Sequence, residues 1–204
     1  VTVDLVARLT ETLPAGRVID DPALVAAQAT DASRHPAPRA ALVVRPRTAE
    51  EVSAVLRVAN ATGTPVVPQG ARTGLVGGSA AIEGAILLDL TSMDAILDID
   101  VVEGTAVVQP GVIVAELQRA AAERGLFYAP DPASAEWATV GGTIATNAGG
   151  MRCIRYGVTR DAILSLQIVL ADGSIERTRP ATVKGVAGLD LTSLVVGSEG
   201  TLAV

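Results

Sequence analysis

The groups best placed to do chemistry in this chain are backbone amides freed by glycine. The stretch Pro68-Gln69-Gly70-Ala71-Arg72-Thr73-Gly74-Leu75-Val76-Gly77-Gly78-Ser79 carries four glycines in the nine positions from Gly70 to Gly78. Glycine reaches positive φ and lets a backbone approach a ligand closely, so successive N–H groups of such a loop can converge on one anion. Each amide that donates to a charged oxygen contributes about 1.5–3 kcal/mol, so a few can hold a pyrophosphate without a lysine. The spacing matches neither Gly-x-x-x-x-Gly-Lys nor Gly-x-Gly-x-x-Gly between a strand and a helix, which sets aside the P-loop and Rossmann modes of nucleotide binding. A flexible linker is the alternative, and Pro68, Leu75 and Val76 interrupt it.

A second segment has the same character. Pro130-Asp131-Pro132-Ala133-Ser134 is followed by Thr139-Val140-Gly141-Gly142-Thr143-Ile144-Ala145-Thr146-Asn147-Ala148-Gly149-Gly150, with four glycines in the ten positions from Gly141. Backbone rather than side chains would line a surface built there, which suits a flat aromatic ring and its polar edge. Asn147 and Thr139 can hydrogen-bond such a ring, or equally stabilise their own turns. Other reactive groups are few. The single histidine, His35, lies in the Pro-rich run RHPAPR and reads as a loop residue. The single cysteine, Cys153, cannot form an internal disulfide and reads as a small hydrophobe. No His/Cys/Asp/Glu cluster has ligand spacing, so neither a metal site nor a catalytic acid–base pair is expected. Arg152, Arg155 and Arg160 read either as groups facing a ligand or partner or, more commonly, as solvated turn residues.

The elements that position these loops follow from periodicity. ALVVRP (41–46) reads as a buried strand, Thr48-Ala49-Glu50-Glu51 as a capping box, and Val52, Val55, Leu56 and Ala59 as one helical face ended by Gly63. TPVVP (64–68) is the next strand, which implies a parallel strand–helix–strand lobe. AILLDL (85–90) follows the glycine loop, and a helix is expected over 112–124, with Ile113, Leu117 and Ala121 on one face and Gly125 at its end. Asp172-Gly173 between ILSLQIVL and SIERT predicts a hairpin. The fold class expected is α+β in two lobes, about 1–90 and 91–204, the second mainly antiparallel β with added helices.

Composition narrows the partners. The 204 residues are 49% hydrophobic, enough for a real core, and 16 Lys and Arg against 22 Asp and Glu leave a net charge of -6 that would repel nucleic acid. No run is long and apolar enough for a membrane span and the start lacks signal-peptide order, so a soluble, cytoplasmic protein is expected. At least one of the ends, Val1 or Val204, reads as a boundary set within a longer polypeptide.

Taken together, PQGARTGLVGGS, YAPDPAS, TVGGTIATNAGG, RYGVTRD and VGSEGTL resemble the FAD-binding domain of the vanillyl-alcohol oxidase and p-cresol methylhydroxylase family, from about residue 30 onward. Within it, the chain looks most like the glycolate oxidase D subunit and the D-lactate and D-2-hydroxyglutarate dehydrogenases. The resemblance implies an extended FAD held between two α+β lobes. Gly70, Ala71, Arg72, Thr73, Gly74 and Leu75, led by Pro68 and with Ser79 nearby, would wrap the pyrophosphate. Pro130, Asp131, Ser134, Gly141, Gly142, Thr146, Asn147 and Gly150 would line the ribityl chain and flavin, with Thr139 and Tyr156 beside them. Glu199, Gly200 and Val204 would lie near the adenosine. Relatives often carry Gly or Asn in place of Arg72, whose guanidinium reads equally as a pyrophosphate cation or a solvated group, and Gly in place of Ala203. Because some relatives tether flavin through a histidine of the phosphate loop and His35 lies elsewhere, non-covalent FAD is expected. The resemblance implies oxidation of a 2-hydroxy acid to the 2-oxo acid, with substrate held by an absent C-terminal domain and electrons passed to an unnamed acceptor. A stand-alone FAD carrier, or an oxidase of a sugar or alcohol, is the alternative.

Overall fold

The computed structural model describes residues 2–204. Helix α1 (Thr2–Thr12) leads to β1 (Val18–Ile19), α2 (Pro22–Gln28), β2 (Leu42–Val44), α3 (Ala49–Thr62), β3 (Val66–Gln69) and β4 (Ile86–Asp89). These strands form one sheet in the order β1-β2-β4-β3, with β4 parallel to both neighbours and β1 antiparallel to β2. Continuous apolar runs suit strands covered on both faces, and β2 and β4 are buried along their whole length. Alternate residues sort to opposite sides. Leu42, Val44, Ile86 and Leu88 pack with Leu5 and Leu9 of α1 and Val52, Val55 and Leu56 of α3. Val43, Val67 and Leu87 pack with Val25 of α2 on the other face.

Helix α3 starts where Thr48 Oγ1 accepts from the Glu51 N–H at 3.2 Å and stops at Gly63, φ +62°. The capping box is only half closed. The Glu51 carboxylate accepts instead from the Arg47 N–H and from Arg17 Nε, both at 2.8 Å. Arg17 supplies a charged partner that the cap N–H cannot match.

A hairpin of β5 (Ile96–Asp100) and β6 (Thr105–Val108) follows, then α4 (Val114–Ala122) and α5 (Val140–Thr146). Helix α4 is shorter than its periodicity implies. Ile113 is extended and forms a β-bridge with Thr139, which holds it outside the helix, while Gly125 turns at φ +73° beyond the other end. Val112, Val114, Leu117, Ala138 and Val140 form a third apolar cluster. The chain continues through α6 (Cys153–Tyr156), β7 (Gln167–Val169), β8 (Ile175–Arg177) and α7 (Leu191–Val195). β7 and β8 make the antiparallel hairpin expected at Asp172-Gly173. Val169 rejoins the α1/α3 core and exchanges backbone hydrogen bonds of 2.8 and 3.0 Å with Val204. No helix among the described residues is long and apolar enough to cross a membrane.

Candidate cofactor-binding site

The glycine loop leaves the C-terminal end of β3, next to the end of β4. From Ala71 through Gly78, eight residues, no backbone N–H donates a hydrogen bond to any described residue. None of these eight residues is buried, so their amides face outward and form a donor set open to an acceptor. The loop is fixed from behind by the turn after α2. The Ala32 N–H donates to Arg72 O at 3.0 Å, the Ala81 N–H to Ala29 O at 2.7 Å, and Ser79 Oγ to Asp31 Oδ2 at 3.3 Å. Burial opposes ionisation of Asp31, but hydrogen bonds from Ser33 and Ser79 outweigh it and hold the carboxyl below its usual value. Arg72, at φ +56°, sends its guanidinium to Ala27 O (3.2 Å), against the C-terminal end of α2. An anion in the loop would therefore meet amides first. Leu75 and Val76 are exposed at the tip beyond Thr73 and Gly74. His35 is also exposed, yet its Cδ2 lies 3.7 Å from where a Cβ on Gly77 would stand, so the chain's one imidazole borders this loop.

Helix α5 backs the loop. A Cβ on Gly70 would strike Thr139 Oγ1, and would lie 3.7 Å from Gly142 Cα. Thr139, 1% exposed, caps α5 by accepting from the Gly142 N–H at 3.2 Å. The Val140 and Gly141 N–H groups donate to Val112 O (2.7 Å) and Pro110 O (2.8 Å), so this helix start is already satisfied by the protein. A Cβ on Gly141 would come within 2.6 Å of Pro110, and one on Gly150 would collide with Asp131. These glycines permit backbone to pack on backbone, a use that reading the block only as a ligand wall overlooks.

On the far side of α5, Thr146 Oγ1 donates back to Gly142 O, and Asn147, at φ +46°, accepts the Arg160 N–H on Oδ1 at 2.9 Å. Asp131 accepts from the Arg152 N–H at 3.0 Å and pairs with its Nε at 3.4 Å. Pro130 is buried with its carbonyl accepting from Gln118, and the Ser134 carbonyl accepts from the Trp137 and Ala138 amides. The three arginines are engaged rather than merely solvated. Arg152 stacks over Phe127 (5.2 Å), Arg155 over Tyr156 (5.1 Å), and Arg160 donates to Val196 O at 3.0 Å. The Phe127 and Tyr156 rings are in contact, tilted by 58° with centroids 5.3 Å apart. Trp137 is exposed. Tyr128, which the motif YAPDPAS contained without singling out, has a buried hydroxyl with no hydrogen-bond partner, and burial pushes its phenol up to about 12.

The C-terminal segment reaches the loop from the other side. Glu199, at φ +52°, donates its N–H to Ala145 O at 2.9 Å, and its Oε2 stands 2.5 Å from the Cβ position of Gly78. A Cβ on Gly200 would lie 2.9 Å from Pro68. Pro68, Gly200 and Val204, with Asn60 and Thr64, line a cleft of about 240 Å³. The glycine loop, the 139–150 block and the 199–204 segment are thus contiguous through Gly70–Thr139, Glu199–Ala145, Gly78–Glu199 and Pro68–Gly200.

A profile of the FAD binding domain family matches residues 40–179, more than half of the chain. The chain belongs to this family. FAD is its cofactor, and the free-amide loop fits the group, because a string of N–H donors without a competing cation matches a diphosphate. Among curated relatives, the FAD-binding domain is 48% identical over 162 residues to glycolate oxidase subunit GlcD of Bacillus subtilis, covering 79% of this chain and 34% of that protein. It is 39% identical over 187 residues to D-2-hydroxyglutarate dehydrogenase of Stutzerimonas stutzeri (92% and 40%) and 43% over 166 residues to D-lactate dehydrogenase of Anaerostipes hadrus (81% and 35%). The chain therefore spans 34–40% of the length of these relatives. Among solved structures, alkyldihydroxyacetonephosphate synthase superposes with a TM-score of 0.88 at 24% identity, over 99% of this chain and 38% of that one. p-Cresol methylhydroxylase does so at 0.80 and 22%, over 99% and 41%. Both show the fold, in agreement with the α+β FAD-binding type expected.

Proposed function

We propose that this domain holds FAD without a covalent bond and serves an enzyme that oxidises a 2-hydroxy acid to the 2-oxo acid. The observation that carries the reading is the run of eight free amides from Ala71 to Gly78, backed by α5 and flanked by Glu199. The loop takes the pyrophosphate. The Glu199 carboxylate only accepts hydrogen bonds when ionised, so it faces ribose hydroxyls rather than phosphate oxygens. Gly200 and Val204 would hold the adenosine side, and the Thr139–Gly150 block with Tyr156 would hold the ribityl chain and flavin. When bound, the flavin supplies the hydride acceptor.

The chain's own residues bind and orient. Thr139 and Pro110 fix α5, the Asp131–Arg152 pair fixes the turn at Gly150, and Asn147 ties α5 to Arg160. The substrate class follows the relatives named glycolate oxidase, D-lactate dehydrogenase and D-2-hydroxyglutarate dehydrogenase. The base for the hydroxyl and the clamp for the carboxylate are assigned to residues outside these 204. The test is flavin selectivity: the chain takes up FAD in strong preference to FMN, measured by fluorescence quenching. Equal affinity for the two would remove the pyrophosphate from the loop.

A further inference from the structure

The eight free amides have no hydrogen bonds of their own to set their directions. Their arrangement depends on how the loop ends are held. Gln69, the last residue of β3 and 1% exposed, joins those ends. Its Nε2 donates to Ser79 O at 2.7 Å, across the base of the loop, and to Gln28 O at 3.0 Å, at the end of α2. Behind it, Gln28 Nε2 donates to Asp89 Oδ2 at 3.1 Å, and the same oxygen accepts from Arg45 Nε at 2.9 Å. A polar chain, buried at Gln69 and Asp89, thus runs from the C-terminal ends of β2 and β4 to the loop.

Gln69 Oε1 and Gln28 Oε1 are both buried without a partner. Leaving a buried acceptor unpaired is unfavourable, and an apolar side chain would avoid it at either position. What an apolar side chain cannot do is bridge Ser79 O to Gln28 O. We propose that Gln69 is a positioning residue for the cofactor: it closes the base of the loop so that the amides from Ala71 to Gly78 converge on the diphosphate. This rests on the reading of that loop as the diphosphate site.

The test compares dissociation constants for FAD, ADP and riboflavin among wild type, Gln69→Met, Gln69→Asn and Gly74→Val. Met fills the buried volume without a donor, and Asn keeps the donor but is too short to span both carbonyls. Both Gln69 variants should weaken FAD and ADP by about tenfold or more while leaving riboflavin within about twofold of wild type. Should Gln69→Met not fold, Gln69→Asn alone decides the matter. Unchanged FAD and ADP binding in a folded Gln69 variant, or an equal loss for all three ligands, overturns the proposal. Gly74→Val separates the two readings. If it weakens FAD while the Gln69 variants do not, only the role of Gln69 is lost. If it too leaves FAD and ADP unchanged, the loop is not the diphosphate site.

Discussion

Glycine serves two purposes here, and a Cβ distinguishes them. One placed on Gly74 meets nothing within 4 Å and needs no unusual φ, whereas one on Gly142 meets Thr139 Oγ1 at 3.0 Å inside a capped helix. Gly74→Val should therefore lower FAD affinity by about tenfold or more with a stability change within roughly 0.5 kcal/mol, as for an open surface site. Gly142→Val should cost about 1–3 kcal/mol of apo stability as well, because the Thr139 cap must shift. Thermal melts of the apo forms beside FAD titrations check both, and equal FAD affinity in Gly74→Val and wild type would move the cofactor elsewhere. Asp89 offers a second residue-level test. Burial opposes its ionisation, but hydrogen bonds from Thr91, Gln28 and Arg45 hold its carboxyl below 3.8. A depressed folded pKa means that the stabilisation is complete above the unfolded value and is lost as pH falls through the folded one. Asp89→Asn should thus cost about 1–3 kcal/mol near neutrality, with the gap to wild type closing as pH falls below 3.8. A pH-independent gap would assign the loss to packing alone.

The β7/β8 hairpin shows how elements are locked together. Gly173 turns at φ +84° directly against α3, where a Cβ would stand 2.8 Å from Ser53 O and 2.5 Å from Arg57 Cγ, and its carbonyl accepts from Ser53 Oγ. Gly173→Ala should destabilise the domain by about 1–3 kcal/mol, read by urea denaturation; a neutral result would mean that the hairpin is not docked on α3. The hairpin itself was legible from Asp172-Gly173, as were β2 and β4 from ALVV and AILLDL, because turn chemistry and buried apolar runs are local signals. What escaped depends on distant partners. Nothing near residue 66 announces that β4 will insert between β2 and β3. Ile113 fits the helical period, but its bridge to Thr139 takes it out of α4. Glu51 has the spacing of a capping box, but Arg17, 34 residues away, takes its carboxylate. At the site, loop 70–78 was legible from its glycines, whereas Gln69, His35 and the packing glycines at 141 and 150 emerge only once α2, α5 and the loop are brought together.

At the scale of the whole molecule, three segments far apart in sequence meet around the glycine loop: the turn after α2, the α5 block and the 199–204 segment. Two predictions belong at this scale. Denaturing the FAD-loaded chain should release the flavin into the soluble fraction; flavin left on the precipitated polypeptide would show a covalent bond and point to His35, which borders Gly77. The other concerns turnover. Saturated with FAD, these 204 residues should not oxidise glycolate, D-lactate or D-2-hydroxyglutarate at an enzyme-like rate. The chain spans 34–40% of the relatives that carry those substrate names. Its arginines on the Tyr156 side are occupied by Asp131, by aromatic rings and by Val196 O. Burial pushes the Tyr128 phenol up to about 12, the wrong direction for a base acting on a hydroxyl at neutral pH. General acid–base help is worth about 10²–10⁴ in rate, and correct positioning can add considerably more. An open flavin face would also meet water and oxygen freely, which favours slow, unselective reoxidation over coupled electron transfer. Anaerobic bleaching of the flavin on adding each hydroxy acid gives the measurement, with a protein of full relative length as comparison. Fast, saturable bleaching by the 204 residues alone would place the proton acceptor and carboxylate clamp within them, and Tyr156, Arg155 and His35 would be the first side chains to exchange.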